Sequence, residues 1–76
     1  MSAEHLVTMA NDIANFFAAE PDRQVAVDGV FTHLKRYWVP RMREQIVQHV
    51  REHGPGGLSE IAAAAVQRLA EAQQGA

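Results

Sequence analysis

Between Lys35 and Arg43, nine positions hold four cations (Lys35, Arg36, Arg41, Arg43), two large aromatics (Tyr37, Trp38), a proline (Pro40) and a methionine (Met42). Such a mixture has three chemical uses. Cations hold phosphates while aromatic rings stack on bases, so a nucleic acid is one candidate ligand. Trp38, Pro40 and Met42 can instead pack the corner between two helices and leave the arginines in solvent. Trp, Tyr, Arg and Met are also the residue types enriched at protein interfaces, where Arg offers bidentate bonds to carboxylates.

A second group is His49 and His53 with Glu52 beside them. Four residues of helix would place both imidazoles on one face, a spacing that can serve one metal ion. However, the H-E-x-x-H order is missing, no third ligand is evident, and both histidines lie on or beside an apolar stripe of Met42, Ile46 and Val50. His53 reads better as a helix C-terminal residue, where a protonated imidazole meets the helix dipole and can bond the last carbonyls. No metal is assigned to the pair.

Nucleophilic and phosphate chemistry find no foothold. The chain has no cysteine, and its two serines, Ser2 and Ser59, stand where helices should begin, as capping residues do. The run "GPGG" follows a helical segment and lacks the strand, lysine and hydroxyl of a phosphate-binding loop. The expectation is a chain that is not an enzyme by itself.

Charge separates the candidate ligands of the basic stretch. From His33 to His53, Lys35, Arg36, Arg41, Arg43 and Arg51 face only Glu44 and Glu52, a net +3. The remainder sets Arg23 and Arg68 against Glu4, Asp12, Glu20, Asp22, Asp28, Glu60 and Glu71, a net −5. An acidic protein in which Glu44 and Glu52 interrupt the basic face fits a nucleic acid poorly and a protein partner better.

These residues must be carried by helices, because the apolar positions recur at helical and not at strand spacing. Leu6, Met9, Ala10, Ile13, Phe16 and Phe17 define a first helix, capped by Ser2 and ended before Pro21. Phe16 and Phe17 are expected in the core, although neighbours on a helix diverge by about 100°, so one of them can reach the edge of the face and suit a partner. Pro21 and Asp22 open a second helix with Val27, Phe31, Leu34 and Trp38 on its stripe and Val30 and Tyr37 widening it. Gly29 inside it either lets another helix approach closely or is simply tolerated. Pro40 pre-sets the start of a third helix, from about Arg41 to His53, with Met42, Ile46, Val50 and His53 on one face. Val39 at that junction lacks the oxygen of a good N-cap. Gly54 suits a left-handed C-terminal position, and an alanine-rich fourth helix follows with Leu58, Ile61, Ala62, Ala65, Val66 and Leu69 inward.

The expected fold is therefore all-α, a small bundle of about four short helices forming a single domain over residues 1–76, frayed near 1–3 and 72–76. A chain of 76 residues buries only about 60% of its unfolded surface, so it is marginal alone and a partner is a natural source of further stability. The N-terminal "MSAEHLVTMAND" has no basic region before an apolar core and does not read as a secretion signal. No apolar run approaches the ~20 residues that span a bilayer, and with no cysteine the expected location is the cytoplasm.

Three segments, "MANDIANFFAAEP", "VDGVFTHLKRYWVPRMREQIVQHV" and "GPGGLSEIAAAAVQRL", resemble the delta subunit family of soluble, NAD-dependent, molybdenum-containing formate dehydrogenases. The resemblance covers about Leu6 to Leu69 and is most specific at Tyr37, Trp38, Val39, Pro40, Arg41, Met42 and Arg43. Members of that family often carry Phe in place of Tyr37 and Asp in place of Val39, and the second departure removes a helix cap. The resemblance implies a cofactor-free accessory subunit of a larger complex. In that complex an alpha subunit holds bis-molybdopterin guanine dinucleotide and iron-sulfur clusters, and other subunits pass electrons through FMN and clusters to NAD. The partner-facing residues expected on this reading are Lys35, Arg36, Tyr37, Trp38, Pro40, Arg41, Met42 and Arg43, with the molybdenum-bearing subunit as the expected partner. Two rivals are a small nucleic-acid-binding regulator and a transient chaperone for molybdenum cofactor insertion.

Overall fold

A computed structural model of the chain describes residues 2–74. Of the ends expected to fray near 1–3 and 72–76, Ala3 and residues 72–74 are helical, and Met1, Gly75 and Ala76 fall outside the described residues. Among them are four helices and no strand: α1 (Ala3–Phe17), α2 (Arg23–Tyr37), α3 (Pro40–His53) and α4 (Glu60–Gln74). The Cα radius of gyration is 11.2 Å, close to the roughly 11.4 Å of a compact chain this long.

Each helix begins where side-chain chemistry supplies an acceptor or removes a donor. Ser2 Oγ accepts from the His5 amide at 3.1 Å, and Asp22 Oδ1 accepts from the amides of Gln24 (2.9 Å) and Val25 (3.4 Å). Ser59 Oγ accepts from the Ala62 amide at 3.2 Å, so the two serines act as the caps their positions suggested. Val39 makes no side-chain cap, and Pro40 alone opens α3. That helix ends at Gly54, whose φ of 80° and ψ of 177° are positive-φ but extended, not the left-handed helical geometry expected.

The helices pack so that α2 lies against α4 and α1, while α3 lies against α1 and α4. Small residues make this possible. Ala10, Ala14, Ala26, Ala62 and Ala65 are buried, which lets helix backbones approach while Leu6, Leu34, Ile46 and Val66 fill the space between them. Three expectations for the core need correction. Tyr37 does not widen the α2 stripe but stands 68% exposed, Phe16 is 79% exposed, and on α3 His53 is exposed, whereas Ile46 and Val47 are buried and Met42 and Val50 pack half-buried against the core. Adjacent Ile46 and Val47 can both turn inward because α3 meets two other helices.

Asn11 ties the glycine-rich turn to α1. Its Nδ2 donates to the Gly57 carbonyl at 2.7 Å, and its Oδ1 accepts from the Ser59 amide at 2.8 Å. One side chain thus satisfies both sides of a turn that has no regular structure to do so.

Candidate docking surface

The bend between α2 and α3 places the basic stretch residue by residue. Trp38 turns inward and is only 4% exposed, anchoring the corner against the core. Met42 packs against the same core as a half-buried residue. Arg43 also turns back on the fold. Its guanidinium donates to the carbonyl of Lys35 at 3.1 Å and to the carbonyl of Trp38, satisfying acceptors that the end of α2 leaves open.

The other expected contact residues face solvent. Lys35, Arg36, Tyr37, Pro40 and Arg41 are exposed, and the Lys35 ammonium lies 5.7 Å from the Phe31 ring centroid. Arg23 and Arg68 are paired, with Glu60 at 2.5 Å and with Asp28, whereas Arg36 and Arg41 have no carboxylate partner among the described residues. The eight expected residues therefore divide into an inward set, Trp38, Met42 and Arg43, that builds the corner, and an outward set that decorates it.

The outward set looks onto two different hollows. Arg36 and Tyr37 border a groove of about 510 Å³ along α2, with Phe17, Val25 and His33 in its walls. Val39 and Arg41 border a broader depression of about 990 Å³ along α3, which runs past Gln48 and His49 to His53. His49 and His53 stack there with ring centroids 5.1 Å apart, and no group of three His, Cys, Asp or Glu side chains placed to hold a metal occurs among the described residues.

The aromatic surface extends beyond the residues singled out in the sequence. Phe16 stands on Phe17 edge to face, centroids 5.2 Å apart at 88°, and His33 lies 4.8 Å from Tyr37. Phe17 is fixed by Gly29: a Cβ there would come within 2.5 Å of the ring, so the glycine makes room for a side chain of α1. Of the two alternatives for Gly29, close approach is the one observed, by a phenylalanine ring. The divergence of neighbouring helical residues pointed to an exposed ring at 16 or 17, but His33 and Val25 carried no such signal.

Among the described residues no helix is long and apolar enough to cross a membrane. The family model described as NADH-dependent formate dehydrogenase delta subunit, FdsD, matches residues 5–66. No curated protein and no solved structure gives a significant match. The family match spans most of the chain, and the chain belongs to this formate dehydrogenase delta subunit family.

Proposed function

We propose that this delta-family chain is a non-catalytic accessory subunit that binds the catalytic assembly of a cytoplasmic, NAD-dependent molybdenum formate dehydrogenase and supports its assembly or stability. The observation that carries the reading is the corner itself. A buried tryptophan and an arginine bonded to the end of α2 hold the bend, while Lys35, Arg36 and Arg41 project from it without carboxylate partners among the described residues. Unpaired arginines on a fixed backbone are suited to carboxylates of another protein, because no internal ion pair has to be broken and the bend that presents them is already ordered. The molybdenum-bearing alpha subunit is the partner proposed. Its bis-molybdopterin guanine dinucleotide and iron-sulfur clusters, and the FMN and NAD sites of the complex, lie in other subunits on this reading, and the present chain holds none of them.

The paired substitution Lys35→Glu with Arg41→Glu tests the surface without touching the inward set. It should weaken co-purification with the alpha subunit about tenfold or more while leaving the helical circular dichroism unchanged. Unchanged association would mean that the corner does not face the partner.

A further inference from the structure

The outer face of α2 carries a stripe that the fold covers only in part, where Phe17 sits over Gly29. Val25, Gly29, His33 and Tyr37 follow one another at four-residue spacing and run about 18 Å along the helix at 1.5 Å per residue. Beside this stripe a second hollow of about 380 Å³ opens between α1 and α2, bordered by Ile13, Phe16, Phe17 and His33. Phe16, Tyr37 and Val25, at 79%, 68% and 49% exposure, are three of the four large apolar side chains most open to water. Exposed apolar side chains around two adjoining hollows on so small a protein are the kind of surface that a partner covers.

The groove is built in advance of any partner. Phe17 is seated over Gly29 and holds Phe16 edge to face, and Tyr37 rests on His33. Rings held in this way lose little freedom on binding. Charges rim the groove along its length. Glu20 borders it with Val25, Asp12 borders the adjoining hollow with His33, Arg36 borders it with Tyr37, and Asp28 is already paired with Arg68.

We infer that this groove seats an amphipathic helix of a neighbouring formate dehydrogenase subunit, a step that rests on the accessory-subunit reading above. The helix would lay three turns of apolar side chains along Phe16, Val25, His33 and Tyr37. It would bring a carboxylate to Arg36 and separate basic residues to Asp12 and to Glu20. A helix is the fitting occupant because a groove between two helices receives the ridge of a third, and no strand among the described residues offers an edge to an extended peptide. Docking here would place Arg36 and Tyr37 at the shared border of this groove and the α2–α3 corner.

The test uses the full chain co-expressed with the other subunits, in four forms: unaltered, Phe16→Asp, Phe16→Leu and Val25→Glu. Both substituted side chains are exposed, and circular dichroism checks that each variant stays helical. Phe16→Asp and Val25→Glu should each lower retention in the complex about tenfold or more, and Phe16→Leu should retain it within about threefold. Retention of both charged variants, together with loss for Lys35→Glu with Arg41→Glu, would overturn the groove and leave the corner standing. A dimer of the free chain that Phe16→Asp dissolves, with association to the complex unaffected, would assign the groove to a second copy and overturn the inference. Failure of the unaltered chain to associate at all would overturn both readings.

Discussion

A methyl group on Gly29 would stand 2.5 Å from Cε1 of Phe17, so two ordinary effects oppose each other at that position. Alanine is the better helix former by about 1 kcal/mol, while overpacking costs about 1–3 kcal/mol. Gly29→Ala should therefore destabilise the chain by up to about 2 kcal/mol, and in a Phe17→Ala background it should become stabilising by up to about 1 kcal/mol. Urea unfolding of the four proteins of that cycle measures the reversal of sign. Arg43 and Arg41 provide a second contrast. Arg43 bonds two carbonyls at the end of α2, so Arg43→Ala should cost about 1–3 kcal/mol, and exposed Arg41→Ala should stay within about 0.5 kcal/mol. At this scale the sequence was legible only in part. It showed four equivalent cations around a bend, and only the chain path could reveal that Arg43 reaches back over it. It offered Phe16 and Phe17 as a pair, and which ring faces water depends on the angle at which α1 meets α2.

The four helices were legible because their punctuation is local. Serine and aspartate caps, prolines at the starts and a glycine at the end of α3 act within a few residues, and the apolar period does the rest. Inward faces were read less completely, since Ala14 and Val47 are buried on helices that each pack against more than one neighbour. The role of Asn11 was out of reach of local reading, as it joins α1 to a turn far along the chain. The weakest start is that of α3, where Val39 has φ −66° and ψ 155°, the geometry of an N-cap, with no side-chain acceptor. Val39→Asp should therefore raise stability by about 0.5–2 kcal/mol, read as a higher urea midpoint with an unchanged slope. Because Val39 is 56% exposed, the change costs little packing.

For the whole molecule, size and charge point the same way. A 76-residue domain with no disulfide has a small stability margin, and a partner at 100 times its dissociation constant adds about 2.7 kcal/mol. The two ion pairs are at exposed positions on α2 and α4, where such pairs contribute about 0–1 kcal/mol each, so they do not replace that support. Of the cations with no ion pair among the described residues, Lys35, Arg36 and Arg41 lie at the corner or the groove, and Arg51 lies farther along α3. The accessory role is tested most directly by the subunit stoichiometry of active formate dehydrogenase, purified by affinity capture of its alpha subunit and then by size exclusion. The account expects this chain in equal number to the alpha subunit in the active peak. An active peak that lacks the chain, with the chain found only on immature alpha subunit, would contradict it.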